Sequence, residues 1–360
     1  MLNVETKGNI GYFFAFLSAL FYAISTPLNK ILVENIVPLV LSGWTYFFSG
    51  IILLPAFLTK KKSKASITLD DVPKLTVIII SGSVLAPVFI LYGLFFSTAF
   101  QTSLFLNFEV IFTILIAMLI FNERLGKKGA IGIILVIGCL LFWSIDFQIS
   151  KISNILNPGI IFLLLGCIFW AIDNNVTQTL GEKSATQITS IKGICGGIIS
   201  LIISILAGYS IILSFVNYLF ISFIGLFSFA LSIILFISAL KKIGTIKTSI
   251  LFSTSPFIAA IFSLIFLDES IGLYGYIIII LTFIGILLIT TDEHAHLHSH
   301  GVLVHTHSLK EKDKHHQDIE IVSEQTKKPQ KAVTHKHEEF THSHEHSHNT
   351  HHRHDHKDET

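Results

Sequence analysis

The sequence predicts an all-α integral membrane protein of ten transmembrane helices, arranged as two inverted five-helix repeats and followed by a disordered C-terminal tail. Three observations predict this class. Hydrophobic residues make up 51% of the 360 residues, and phenylalanine alone contributes 31, a bias typical of lipid-facing helices. Apolar stretches of about 20 residues, the length that crosses a bilayer, recur along the first 291 positions. All 18 histidines lie beyond them, between His294 and His356.

The apolar stretches define ten predicted spans joined by short connections. No basic run precedes the first stretch and no small-residue cleavage site follows it, so we expect it to be a retained helix and not a signal peptide. The predicted spans are residues 10–33, 37–58, 74–96, 100–121, 128–146, 158–179, 187–208, 215–239, 245–267 and 271–291.

The charges of the connecting loops predict the orientation of these spans. Lysine and arginine are retained on the cytoplasmic side of a membrane. If the N-terminus is cytoplasmic, thirteen of these residues fall in cytoplasmic segments, and only Lys30 and Lys151 fall on the opposite side. Because the number of spans is even, both termini and the histidine-rich tail are then expected in the cytoplasm.

An internal repeat divides the body of the chain. Residues 9–32 and 157–180 are identical at eight of 24 positions, and a second similarity relates residues 119–129 to 265–275. The repeat predicts two domains of five spans each, at 9–146 and 157–291. An odd number of spans forces the second copy to insert upside down, as in many secondary transporters that open alternately on two sides of the membrane.

These features resemble the EamA-like branch of the drug/metabolite transporter superfamily. The resemblance rests on the two five-span halves, on the small-residue pattern G…FA…SA..YA in the first span, on the glutamate in span four and on the E-R-L turn that leads to span five. It covers residues 9–291 and not the tail. It implies a helical bundle around a central polar cavity in the lipid bilayer, no ATP site, and transport of small organic solutes.

Glu109 lies in the middle of predicted span four, where an ionised carboxylate is costly unless it is paired or hydrated. We therefore expect it to face a cavity. The resemblance implies an acidic-proline pair here; Val110 replaces the proline, and the equivalent point of the second half reads Ser255-Pro256. Glu109, Ser255 and Pro256 are thus predicted to flank the cavity. Glu109 is interpreted either as a proton-coupling or cation-contacting group, or as a protonated carboxyl that bonds a neighbouring helix.

Span six carries three adjacent polar residues, Asp173, Asn174 and Asn175, which cannot all face lipid. They align with the segment that begins at Ser25 in span one. At helical spacing Trp170, Asp173 and Asn174 share one face, so an aromatic wall lies beside a carboxylate and an amide. That face suits an ammonium group or a polar metabolite. The alternative interpretation places these residues at the water boundary.

Lys192 lies early in span seven. We expect its ammonium group to reach the cytoplasmic surface, as lysines near helix ends commonly do; a bond to Asp173 or to a substrate carboxylate is the alternative. Gly193 and Gly197 have the small-xxx-small spacing of a helix-packing face. The three cysteines lie singly in predicted spans, without disulfide or metal spacing, and are expected to pack.

The tail has the composition of a metal-binding segment. It holds thirteen acidic and nine basic residues and one phenylalanine, so residues 292–360 are expected to be disordered. Alternate residues of an extended chain point the same way, so imidazole pairs suit zinc, and nickel, cobalt and copper also accept them. A pH-responsive or low-complexity tail is the alternative. The predicted metal ligands are His294, His296, His298, His300, His305, His307, His335, His337, His342, His344, His346, His348, His351, His352, His354 and His356.

The sequence thus predicts an EamA-like secondary transporter that moves a small organic metabolite or drug across the cytoplasmic membrane, coupled to protons through Glu109, with a metal-binding regulatory tail. Two alternatives stay open: an exporter of zinc, nickel or cobalt whose tail gathers the ion, and a membrane metal sensor that does not transport. No nucleophile and base pattern supports an enzyme. No cofactor is required and no nucleic-acid partner is expected, and the sequence leaves the oligomeric state open.

Overall fold

The computed structural model describes residues 4–59, 67–121, 126–144, 158–180 and 183–292 of the body, and residues 294–300, 303–308, 320–325, 332–337 and 340–346 of the tail. In the described part of the body all regular structure is helical, as the sequence predicts. The body and the tail form separate compact units and are described separately.

The body contains fifteen α-helices in its described residues, together with a 3₁₀ turn at Leu69–Asp71 and two π-helical segments, at Ile80–Leu85 and Gly225–Leu231. The α-helices are α1 (Val4–Ala23), α2 (Ser25–Val33), α3 (Pro38–Thr59), α4 (Val72–Ile79), α5 (Ala86–Phe96), α6 (Ala99–Phe105), α7 (Phe108–Phe121), α8 (Lys127–Ser144), α9 (Pro158–Gln178), α10 (Ala185–Leu206), α11 (Phe215–Ile224), α12 (Ser232–Ile243), α13 (Thr245–Phe252), α14 (Ser255–Phe266) and α15 (Leu273–Thr290).

Nine helical segments of the described chain are long and apolar enough to cross a membrane, which agrees with the predicted integral membrane protein. The helix at the predicted fifth span, α8, is not among them; its first turn holds Lys127 and Lys128. The count of ten spans therefore stays a prediction. The nine segments are Asn9–Val33, Pro38–Pro55, Leu69–Phe96, Ala99–Ile120, Pro158–Gln178, Ala185–Leu206, Phe215–Leu240, Lys247–Phe266 and Leu273–Thr290.

Predicted spans four and nine are each broken near their middle. In span four, the side-chain amide of Asn107 donates to the carbonyl of Leu104 at 2.9 Å, and α6 ends there. In span nine, the hydroxyls of Ser253 and Thr254 donate to carbonyls three residues earlier, at 2.7 and 2.6 Å. Side chains that bond their own backbone compete with the helical ladder, and Pro256, which lacks an N–H, then fits the first turn of α14. The breaks come directly before α7, which carries Glu109, and α14.

Predicted spans three and eight each contain one of the π-helical segments. In span three, Pro87 follows the segment and cannot donate the hydrogen bond that a regular helix would require of it. A π turn accommodates one extra residue and is common at functional positions. Spans three and eight occupy the same place in the two predicted halves.

Glycines let several helices meet backbone to backbone. A Cβ on Gly193 of α10 would lie 2.7 Å from the Cα of Gly50 in α3, and one on Gly132 of α8 would lie 2.5 Å from the carbonyl oxygen of Gly285 in α15. Gly197 meets the backbone of Phe47 in the same way. The predicted packing role of the glycines in span seven is confirmed.

Gly193→Val should destabilise the fold by about 1–3 kcal/mol, because overfilling a close-packed interface forces helices apart. Thermal unfolding in detergent measures the change. Gly138→Val is the matched control, because a Cβ at Gly138 would meet no atom within 4 Å. Equal losses in the two variants would attribute the effect to helix propensity and contradict the role of the contact.

The described residues of the tail form five strands, β1 (His294–His300), β2 (Leu303–Ser308), β3 (Glu320–Gln325), β4 (Ala332–His337) and β5 (Phe340–His346). Strand β1 pairs with β5, and β2, β4 and β3 form a second antiparallel sheet. The alternation of histidine with other residues has the two-residue period of a strand. The disorder predicted for 292–360 stays a prediction.

Candidate functional site

A cavity of about 490 Å³, counted with the part that opens to solvent, lies among the helices of the body. Most of its lining comes from spans one to four, and Trp170 and Phe229 contribute from the second half. Of the predicted site residues, Ser25 and Trp170 line it. The lining residues are Tyr22, Ser25, Thr26, Asn29, Ser42, Thr45, Tyr46, Pro87, Ile90, Leu91, Leu94, Thr102, Leu106, Trp170 and Phe229.

Two polar stripes supply much of this lining. Positions 22, 25, 26 and 29 in the first span and positions 42, 45 and 46 in α3 have the spacing of a single helix face. Residues three and four apart lie on the same side of a helix. Of these residues only Ser25 is predicted from the sequence as a site residue, although periodic polar positions in otherwise apolar spans are a signal that could find the others.

Glu109, which the sequence analysis expects to face the cavity, does not line it; it contacts Asn174, an exposed side chain of α9. The Asn174 amide donates to Oε1 of Glu109 at 2.8 Å and to the hydroxyl of Thr113 at 3.3 Å. Asn175 donates to the carbonyls of Thr113 and Ala171 at 3.0 and 2.9 Å. The consecutive amides of α9 therefore bind α7 just beyond the break in span four.

Asp173 forms an ion pair with Lys192. The ammonium group lies 2.6 and 2.5 Å from the two carboxylate oxygens, and the side chains are only 9% and 15% exposed. Thr177 also donates to Asp173, at 3.1 Å. The structure thus places Lys192 against Asp173, the alternative that the sequence ranked second, and not at the surface. Helices α9 and α10 both pack on the first π segment, Ile80–Leu85, and the ion pair joins the two helices beside it.

Glu109 is bonded to Asn174, the residue next to Asp173, so Glu109, Asp173 and Lys192 are described together as one charged cluster. Two carboxylates and one ammonium group carry a net charge of −1 when all are ionised. Beside the cluster, the first π segment approaches α9 so closely that a Cβ on Gly82 would overlap the Asp173 side chain. The Trp170 indole N–H donates to the Gly82 carbonyl at 3.2 Å. Trp170, which lines the cavity, therefore also contacts the π segment beside the cluster.

Ser255 and Pro256 do not join this arrangement. Ser255 is 3% exposed and Pro256 lies in the first turn of α14, and neither lines the cavity. Among the described residues of the body, no three His, Cys, Asp or Glu side chains lie together as a metal site. The predicted ligands His348, His351, His352, His354 and His356 lie outside the described residues.

Charged side chains also bind helix ends on the side opposite the predicted cytoplasmic face. The Glu269 carboxylate accepts hydrogen bonds from the N–H groups of Ala99 and Phe100, at 2.7 and 2.8 Å, at the start of α6. The Lys30 ammonium donates to two carbonyls at the end of α5, at 3.1 and 2.8 Å. Both charges have the sign that complements the helix dipole.

On the predicted cytoplasmic side, two further contacts join separate helices. Asp292, which is 4% exposed, accepts a hydrogen bond from the Gly126 N–H at 2.6 Å, directly before α8. Asp71 and Lys183 form an ion pair at 2.9 Å. Asp292 thus binds the end of the last span to the start of the helix at span five.

Comparisons with known proteins agree with this architecture. The model of the EamA-like transporter family matches residues 9–145 and again residues 157–291. An "uncharacterized transporter" of Methanothermobacter thermautotrophicus is 31% identical over 273 residues, which cover 72% of this chain and 80% of that protein. An "uncharacterized transporter" of Clostridium kluyveri is 24% identical over 286 residues, 76% of this chain and 91% of that protein.

A solved structure titled "Crystal structure of protein" superposes with a TM-score of 0.55 over 79% of this chain and 96% of its own, at 14% identity. That likeness shows the fold alone. The two family matches span most of the body, and the first relative exceeds 30% identity over most of both chains. The chain is a multi-pass membrane protein that belongs to the EamA-like transporter family.

Proposed function

We propose that the protein is a secondary transporter that moves a small organic solute across the cytoplasmic membrane by alternating access. The observation that carries the proposal is the polar cavity between the helices, with a partly buried charged cluster near Trp170. A cleft between helices with a few convergent polar groups is the usual form of a small-molecule site. Intramembrane ionisable groups commonly mark transport pathways.

Several paired features support an inverted repeat, the arrangement by which many secondary transporters achieve alternating access. Helix α3 packs on α10, and α8 packs on α15, so spans two and seven meet, as do spans five and ten. Helix α1 packs on α12, so spans one and eight meet, and α5 packs on α9, so spans three and six meet. The predicted repeat relates these two contacts to each other. The π segments and the mid-span breaks also recur at equivalent spans. Exchanging the conformations of two such halves would move the opening of the cavity from one face of the membrane to the other.

Proton coupling through Glu109 follows from the charge balance of the cluster. Lys192 neutralises Asp173, so Glu109 carries the excess negative charge. Protonation of Glu109 would bring the net charge of the three groups to zero and lower the cost of rearranging them away from water. Its bond to Asn174 couples that change to α9, the helix that also carries Trp170.

Reconstitution tests the proposed function directly. Purified protein in proteoliposomes would be assayed by counterflow against amino acids, nucleosides, cationic drugs and divalent metals. Exchange of an organic solute supports the proposal. Exchange of divalent metals alone would favour the metal exporter, and the absence of exchange for every class would favour a non-transporting sensor.

In this proposal the tail is a metal-binding regulator. Deleting residues 294–360 should remove nearly all Zn²⁺ and Ni²⁺ binding measured by calorimetry, because imidazole ligands are concentrated there, and should leave the transport of organic solutes in place. The deletion begins after Asp292 because that residue binds the Gly126 N–H.

A tail of unchanged length with its sixteen predicted histidine ligands replaced by asparagine is the matched control. It should lose metal binding as fully as the deletion does. Retained binding in either variant would place the metal site in the body and contradict the role of the tail.

A further inference from the structure

The cavity lining combines polar groups with aromatic rings. Among the described residues that line it, none is charged. Tyr22, Tyr46 and Phe229 form an aromatic cluster, with ring centroids 6.1 Å (Tyr22 to Phe229) and 5.4 Å (Tyr46 to Phe229) apart. Trp170 adds a ring whose N–H is already engaged by Gly82. Because the two tyrosines lie on the polar stripes, rings and hydrogen-bonding groups line the cavity together.

Four buried polar atoms of this lining have no hydrogen-bond partner. They are Oδ1 of Asn29, Oγ of Ser42, Oγ1 of Thr45 and Oγ1 of Thr102, on residues that are 8%, 1%, 3% and 0% exposed. Other unpartnered atoms of the described chain are scattered outside this lining. A buried polar atom left unpaired costs about 1–3 kcal/mol, so four around one cavity point to groups that a ligand would satisfy.

Two other buried hydroxyls differ from the four atoms of the lining, because each donates a hydrogen bond within its own helix. Ser103, beside Thr102, donates to the Ala99 carbonyl at 2.8 Å, and Ser263 donates to the Ala259 carbonyl at 2.8 Å. Such bonds to the preceding turn are the usual way to satisfy a hydroxyl within a membrane helix. Thr102 lacks one and lines the cavity instead.

The chemistry of these atoms defines what they would bind. Three hydroxyls can each donate or accept, whereas the Asn29 oxygen accepts only, so the ligand must present at least one donor. A solute with a net charge would lose its hydration without meeting an opposite charge in this lining, which is costly. The charges of the neighbouring cluster are already committed to one another or to Asn174.

We infer that the transported solute is uncharged and combines several hydrogen-bonding groups with a flat ring. This inference rests on the proposed function and specifies its substrate class. A nucleoside has this form, and so does an aromatic amide.

Binding of matched neutral and charged probes tests the inference on the purified full-length protein. The pairs are uridine with uridine 5′-monophosphate, and nicotinamide with nicotinate. At least one neutral member should bind ten-fold or more tightly than its charged partner. A charged member that binds as well or better, or the failure of both neutral members to bind, overturns the inference.

Thr102→Val supplies a second test, which distinguishes a hydroxyl that binds the ligand from one that only stabilises the fold. Replacing the unpartnered Oγ1 by a methyl group should weaken binding of the neutral probe about five-fold or more and yet raise the thermal stability of the ligand-free protein. Thr290→Val is the matched control, because Thr290 donates to the Ile286 carbonyl at 2.9 Å and lies outside the lining; it should leave binding unchanged. Lower stability with unchanged binding in Thr102→Val overturns the inference.

Counterflow in proteoliposomes distinguishes a failure of the neutral substrate class from a failure of the proposed function. Exchange of a charged solute that Thr102→Val does not alter would refute the neutral substrate class and leave the protein a transporter. If no solute of any class exchanged, the proposed function itself would fail, whatever the probes showed.

Discussion

Glu109→Gln should abolish proton-driven accumulation of the transported solute. A pH difference of one unit corresponds to about 1.4 kcal/mol, or about ten-fold, for each coupled proton. Glutamine keeps the size and the hydrogen bond to Asn174 but cannot take up or release a proton. Proteoliposomes with an imposed pH gradient should therefore accumulate solute with the native protein and only equilibrate it with the variant.

Counterflow without a gradient should survive in Glu109→Gln, because exchange of bound solute needs no net proton movement. Glu34→Gln is the matched control, since Glu34 is exposed near the end of α2 and should change neither measurement. Full accumulation in Glu109→Gln would remove the coupling role and leave Glu109 as a packing residue.

Lys192→Met should be among the most destabilising single substitutions in the body. Removing one partner of a buried ion pair costs about 3–5 kcal/mol, because the other charge stays buried and unpaired. Here the loss is compounded, since Asp173 and Glu109 would become two neighbouring carboxylates without a cation. Thermal unfolding in detergent should show a large decrease in the midpoint.

The double variant Asp173→Asn/Lys192→Met should recover much of that stability, because neither charge is then unpaired. Lys242→Met is the control, since Lys242 is exposed and lies 5.9 Å from the ring of Phe14; its effect should be small. If Lys192→Met were as mild as the control, the pair would contribute little to the fold, and the charge balance proposed for Glu109 would lose its basis.

The helical membrane architecture could be predicted because its signals are local. Apolar stretches of sufficient length identify spans without knowledge of their neighbours, and family matches at 9–145 and 157–291 now coincide with the body. The interruptions were harder to predict. The break before Glu109 depends on the hydrogen bond from the Asn107 amide to the Leu104 carbonyl. The sequence alone does not show whether that side chain bonds its own backbone or points elsewhere and leaves the helix continuous.

The candidate site was predictable in part for the same reason. Glu109 and Asn174 were each recognised as costly in lipid, and the structure places them in contact. The pairing of Lys192 with Asp173 was not the preferred expectation, because it depends on how two helices face each other. Ser255 was assigned by its position in the repeat. Ser255 does not line the cavity. Two positions that are equivalent in a repeat can have different neighbours, and the repeat alone does not predict those neighbours.

The two π segments have a consequence for how the helices around the cavity can turn. Each holds one residue more per turn than an α-helix, which offsets the side chains beyond it by about 100°. The wall formed by Pro87, Ile90, Leu91 and Leu94 comes directly after the first segment, and Phe229 lies within the second. The position of each π segment therefore sets which side chains of its span face the cavity and which face the neighbouring helices or the lipid.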